Sequence, residues 1–338
     1  MASSSCSSEV SNRPQLPWKY RVMLRFAPLF FHIAFRSDST VNRRLLQFVD
    51  RKAPASSEPL DGISSSDLTI DTSRSLWIRI YTPTAHGGDS PKLPVVLFFH
   101  GGGFALFHAD TLACDVAARR YAGELRAVVI SVNYRLAPEF RFPSPYDDGF
   151  DALKFLDEID DGVLPAAADL GRCFILGESA GGNLGHHVAV RASEYASKKV
   201  TVAGFVAVQP FFGGEERTKS EIRLCNQPPF TREMADWFWK AFLPVGSDRD
   251  HAAANVFGPK GEDISRRKFP ATLILVGGFD LLCDRQRMYE EWLKRSGKKV
   301  ELVEFSNAIH GFSGLPDLPE YSSMIREMKN FMERAPKF

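Results

Sequence analysis

The chain has 338 residues, 44% hydrophobic and 25% charged, a globular composition suited to one large domain with an insertion. Its 42 basic and 41 acidic residues leave a net charge of +1, so no overall field recruits nucleic acid. Five scattered cysteines, Cys6, Cys114, Cys173, Cys225 and Cys283, form neither a C-x-x-C pair nor a zinc spacing, which points to a reducing compartment and to no metal.

The chain begins with a Ser-rich stretch, Ala2–Ser8, which is too short for a transit peptide and is followed by Glu9. From Arg13 to Lys52 there are nine basic residues against two acidic ones, Asp38 and Asp50. Arg21, Arg25, His32 and Arg36 fall on one stripe at helical spacing, with Pro28 placed to kink or interrupt the helix. The longest uncharged run, Phe26–Phe35, is far short of the ~20 residues a membrane span needs. It also starts late for a signal peptide and lacks a small-residue cleavage site. The expectation is an amphipathic segment packed over the protein's own pocket, in a cytoplasmic or nuclear protein, with membrane-surface contact as the alternative.

A Pro-, Ser- and Asp-rich loop, Ala53–Asp67, precedes eight β-type runs: Leu68–Asp71, Leu76–Tyr81, Val95–Phe99, Ala127–Asn133, Cys173–Gly177, Val202–Gln209, Thr272–Gly277 and Val300–Phe305. The first two are joined by Thr72–Ser75, a hairpin-length loop, and the second alternates as an antiparallel strand does. The later runs are continuously apolar and separated by helix-length segments, the pattern of a parallel sheet covered on both faces. The spacing predicts helices over Thr111–Glu124, Ser144–Glu158, Ala180–Ala196, Asp284–Ser296 and Glu320–Arg334. Pro210–Phe269, between the sixth and seventh runs, is far longer than a crossover requires and holds Trp237, Phe238, Trp239 and Phe242. With the N-terminal segment, this insertion reads as a cap over the carboxyl ends of the strands, where open α/β sheets bind ligands.

Gly177-Glu178-Ser179-Ala180-Gly181 joins the fifth run to a helix and reads as a nucleophile elbow, with Ser179 exposed on a strained turn. The third run ends in His100-Gly101-Gly102-Gly103-Phe104. Its Gly102 and Gly103 N–H groups, with that of Ala180, are the candidate donors to a developing oxyanion. Asp280 follows the seventh run and His310 the eighth, the order Ser…Asp…His of a nucleophile, an acid and a base in acyl transfer. Asp284 reads as a helix-capping residue, and His186 and His187 as structural histidines too far along their helix to reach Ser179. His108 and His251 lie in loops without a supporting acid. Glu178 reads as a hydrogen-bonding neighbour of the nucleophile, and Tyr134 and Arg135 as braces for the glycine loop. Phe104, Phe211, Trp237 and Phe238 are the candidate pocket walls.

These motifs resemble the hormone-sensitive-lipase-like α/β-hydrolase family: His100–Gly103 is its His-Gly-Gly-Gly, and Gly177–Gly182 its Gly-Asp/Glu-Ser-Ala-Gly-Gly. Asn133–Glu139 and Tyr146–Gly149 match further runs typical of that family, and Gln209–Gly214 and the extended N-terminus resemble its plant carboxylesterase branch. The resemblance implies an α/β-hydrolase fold with a mostly parallel eight-stranded sheet. It implies an N-terminal lid over residues 1–55, and a catalytic domain over 56–338 with a cap insertion at about 212–265. It further implies a carboxylic-ester hydrolase for small acyl esters, without cofactor, acting as a monomer or weak dimer. In that role Ser179 is the nucleophile, His310 the base and Asp280 its orienter. The same branch includes gibberellin receptors, which by the resemblance bind a hormone under a lid and lack the catalytic histidine. A hormone-like binding protein and a lyase or cyclase are the alternatives.

Overall fold

The computed structural model describes residues 13–84 and 91–335, so the Ser-rich start and Cys6 lie outside the described residues. Three short helices lead: α1 (Trp18–Arg25), α2 (Ala27–Ala34) and α3 (Arg43–Val49). There follow β1 (Ile63–Asp71), β2 (Leu76–Pro83), β3 (Leu93–Phe99), α4 (Leu112–Leu125), β4 (Val128–Asn133), α5 (Ser144–Glu158), β5 (Ala168–Glu178) and α6 (Ala180–Ala192). The remainder is β6 (Val202–Val208), α7 (Lys219–Arg223), α8 (Arg232–Phe242), β7 (Thr272–Phe279), α9 (Cys283–Arg295), β8 (Val300–Ile309) and α10 (Pro319–Arg334).

The eight strands make one sheet in the order β1-β2-β4-β3-β5-β6-β7-β8. β2 runs antiparallel to both β1 and β4, and β3 to β8 are mutually parallel. β3 is buried along its whole length, as a strand covered on both faces must be. From β3 the chain crosses to β4 on one side, and from β5 to β6 on the other. The crevice between the carboxyl ends of β3 and β5 is thus the switch point where an open α/β sheet takes a ligand. β5 begins five residues before the apolar run starts, because Leu93 and Pro94 pair with Ala168 and Asp169.

β2 departs from its alternating pattern. Arg79, on the expected polar face, is only 2% exposed. That face lies under α4, and the guanidinium is paired with Asp67 Oδ1 at 2.6 Å, the Ala53 carbonyl at 2.7 Å and Asp115 of α4 at 3.3 Å. A buried charge persists where its donors are occupied in this way.

At the N-terminus the helix is interrupted at Phe26, and Pro28 sits in the first turn of α2, where its missing N–H costs nothing. Leu24, Phe31, Ala34 and Phe35 are buried on the body of the protein. Trp18 (73% exposed), Val22, Phe26, Leu29 and Ile33 face outward. No helix among the described residues is long and apolar enough to cross a membrane.

Candidate active site

Ser179 stands between β5 and α6 with φ 50° and ψ −114°, a backbone conformation that costs a non-glycine residue energy. Its flanking glycines make that turn possible. A Cβ on Gly177 would lie 2.1 Å from the Gly181 carbonyl oxygen, and one on Gly181 would lie 2.0 Å from that of Phe99. Neither position has room for a side chain, so the elbow is set by close packing of backbone on backbone.

His310 immediately follows β8, and its Nε2 lies 2.9 Å from Ser179 Oγ. Its Nδ1 lies 2.8 Å from Oδ2 of Asp280, which is fully buried just after β7. The Asp280 carboxylate also accepts from Gln209 Nε2 at 3.1 Å, Gln286 Nε2 at 3.0 Å and the Leu282 N–H at 2.9 Å. A carboxylate so filled fixes the imidazole with Nδ1–H toward Asp280 and leaves Nε2 free to accept a proton. Phe230 stacks on His310 with ring centroids 4.5 Å apart. The structure therefore brings together the three residues that the sequence had placed after three separate strands.

The glycine loop after β3 lies against the elbow: a Cβ on Gly101 would be 3.4 Å from Ser179 Cβ. Gly102 and Gly103 both adopt positive φ, 108° and 60°. Among the described residues, the N–H groups of Gly102, Gly103 and Ala180 donate to no internal acceptor. Unpaired N–H groups beside a nucleophile can serve a negatively charged oxygen. Gly103 has no room for a side chain, since an added Cβ would lie 2.4 Å from the Phe238 ring. Tyr134 braces this loop as expected, stacking on His100 and donating from its hydroxyl to the His100 carbonyl at 2.8 Å. Arg135 does not; it is held by Asp148 at 2.9 Å, and Arg43 of α3 instead binds the Ala105 and Ala137 carbonyls at 2.6 Å.

A cavity of about 390 Å³ opens above Ser179, faced by Gly102, Gly103, His310, Phe230 and Phe238. Of the expected pocket walls only Phe238 faces it. Phe104 is buried and stacked on Phe242 at 3.9 Å, and Phe211 is stacked on Trp239 at 4.2 Å. Trp237 packs on Phe35 and donates its indole N–H to the Arg36 carbonyl at 2.7 Å, tying α8 to the end of α2. These three belong to the core and to the contact between the N-terminal segment and α8, because aromatic composition does not reveal which way a ring faces. Leu24, Leu106, Phe107, Met234 and Leu315 face the cavity without having been anticipated.

Gln209 was also not anticipated. Besides its bond to Asp280, it accepts from the Gly311 N–H at 2.8 Å, bridging the loops that carry the acid and the base. Its place one residue past β6, before Pro210, was the available signal.

Glu178 faces the same cavity, bonded by the Tyr121 hydroxyl, and burial raises its pKa above the usual carboxylate range. His186 is bonded to the Tyr289 hydroxyl at 2.8 Å and His187 stacks on Tyr146, away from Ser179. Burial holds His100 and His187 near a pKa of 3. His251 packs on Phe142 and accepts from the Ala253 N–H, and His108 contributes its backbone N–H to Thr111. Asp284 lies in the first turn of α9, where it accepts from the Ser220 N–H at 2.7 Å rather than capping the helix itself.

A family model described as the alpha/beta hydrolase fold matches residues 96–314. Among curated proteins, the chain is 40% identical to a gibberellin receptor of Oryza sativa subsp. japonica, over 92% of each chain. It is 34% identical to carboxylesterase 20 of Arabidopsis thaliana, over 90% of this chain and 95% of the other. Among solved structures it resembles an esterase of Pyrobaculum calidifontis with a TM-score of 0.70, at 26% identity over 95% of this chain and 94% of that one.

Proposed function

The chain belongs to the α/β-hydrolase family and is carboxylesterase-like within it, and on that premise we propose that it hydrolyses small-molecule carboxylic esters through an acyl-enzyme on Ser179. The Ser179 hydroxyl attacks the ester carbonyl while its proton passes to His310 Nε2. The N–H groups of Gly102, Gly103 and Ala180 receive the oxyanion, each such donor being worth about 10²–10³ in kcat. The imidazolium, held by Asp280, returns the proton to the departing alkoxide. Water then attacks the acyl group with His310 as base, releasing the acid and restoring Ser179.

One observation carries this reading: the unbroken chain from Asp280 through His310 to Ser179, at 2.8 and 2.9 Å. The test is turnover of p-nitrophenyl acetate and butyrate. Ser179→Ala is expected to lower kcat/KM by at least about 10⁴-fold while preserving the fold. Equal activity in that variant overturns the proposal.

A second reading is a hormone-like binding protein in which Leu16–Phe48 close as a lid. It is favoured by the higher identity to a gibberellin receptor than to the carboxylesterase, 40% against 34%, and by the contact of α2 with α8 beside the cavity. It predicts a protein that turns over no ester and recruits a partner only when ligand is present. His310, which the receptors lack by the resemblance, supports the enzyme reading.

A further inference from the structure

The cavity above Ser179 has a larger neighbour. A second space of about 610 Å³ lies beneath α2 and α3, against α4. Leu106, Phe107, Ala113, Ala117, Met234 and Ser313 face both spaces, so one layer of side chains is their common wall. Ser179, Gly102, Gly103 and His310 face only the first, whereas Phe31, Phe35, Leu46, Leu112 and Val116 face only the second.

Two charged residues of the second space are already engaged with the protein. Arg43 binds Glu139 and two carbonyls, and Asp50 accepts from the Thr111 hydroxyl at 2.6 Å and pairs with Lys52 at 2.8 Å. What remains open to a ligand is chiefly hydrocarbon. Phe107, at the junction, is held at φ 68° and is 39% exposed. Its ring lies against the glycine loop, since a Cβ on Gly102 would be 2.9 Å from a ring carbon. A strained, exposed aromatic between two spaces is a feature the surrounding packing must hold in place. The volume is that of a small-molecule site.

We infer that the second space is a chamber for the apolar half of the ester. Accordingly, the preferred substrates carry, on the acyl or the alcohol side, a hydrocarbon group that extends past Phe107 and Met234. This inference rests on the hydrolase reading of Ser179. Each methylene buried there raises kcat/KM by about fourfold.

The test pairs kinetics with binding. p-Nitrophenyl decanoate against acetate varies the acyl side; decyl acetate against ethyl acetate varies the alcohol. Wild type is expected to prefer the larger member of at least one pair by tenfold or more. Val116→Trp and Leu112→Trp, both on the face of α4 toward the chamber, are expected to cut that preference at least fivefold. A preference absent from wild type, or unchanged in both variants, overturns the inference and leaves the hydrolase reading intact. If no ester is turned over, the hydrolase reading falls, and binding of the apolar fluorophore N-phenyl-1-naphthylamine decides the chamber separately. Binding weakened fivefold or more by both variants supports it; no binding, or equal binding, overturns it.

Discussion

The floor and the roof of the Ser179 cavity are built differently. The floor is made of short loops leaving β3, β5, β7 and β8, each placed by the strand before it and locked by backbone contacts such as that of Gly181 with Phe99. The roof is made of Leu24 of α1 and of the segment between β6 and β7, backed by α2, and its contacts are side chain on side chain: Phe31, Phe35, Trp237 and Phe238 packed ring against ring. A floor fixed by backbone sterics tolerates almost no change but positions reacting atoms closely. A roof of packed aromatic rings can be exchanged with modest loss, because volume-conserving hydrophobic swaps repack.

Substitutions can break or sharpen that contrast. On the floor, Asp280→Asn is expected to lower kcat by about 10⁴-fold, because the amide stabilises the wrong imidazole tautomer, with the thermal midpoint little changed. Gly181→Ala, which forces a Cβ to within 2.0 Å of the Phe99 carbonyl, should cost at least about 3 kcal/mol of stability, read by urea unfolding. Gln209→Leu removes donors from Asp280 and leaves the Gly311 N–H unpaired. Loss of a hydrogen bond to a charged group costs about 2 kcal/mol, expected here as a fall in kcat with KM unchanged. On the roof, Trp237→Phe loses the bond to the Arg36 carbonyl and part of the ring that packs on Phe31 and Phe35 and should cost about 2 kcal/mol in stability, with kcat unaltered. A roof variant that lowered kcat as far as Asp280→Asn would erase the contrast.

Buried histidines also set a pH limit on stability. Burial keeps His100 and His187 near a pKa of 3 and pushes that of His186 down as well. The unfolded chain protonates these histidines from about pH 6.5 downward, while the folded protein resists until near pH 3. The unfolded state therefore binds more protons in that window, and stability declines as pH falls through it. Thermal midpoints measured from pH 8 to 4 should be level above about pH 6.5 and drop below it.

Legibility in the sequence follows the same division. Ser179, Asp280 and His310 could be read because each sits just past an apolar run, and a strand's carboxyl end is a place in space as well as in sequence. Gly177 and Gly181 could be read because the turn needs them. Phe104, Phe211 and Trp237 could not be told from true pocket walls, since the facing of a ring inside an insertion depends on contacts with residues such as Phe35 and Phe242, far away in the chain. Arg135 misled for a related reason: a polar residue at a strand's end suggests a nearby task, until a buried acid on a distant helix claims it. Gln209 was hidden because its partners come from different loops.

His310 has a consequence beyond the reaction. Its ring is held from outside, by Asp280, Ser179 and Phe230, and the Gly311 N–H after it is held by Gln209. Besides the imidazole, Gly102, Gly103, Phe230 and Phe238 face the cavity. On the hydrolase reading proposed above, replacing that one side chain is expected to abolish turnover while leaving the elbow, the unpaired N–H groups and the aromatic roof in place as a binding site. On that reading a single substitution separates an enzyme on this scaffold from a protein that only binds its substrate.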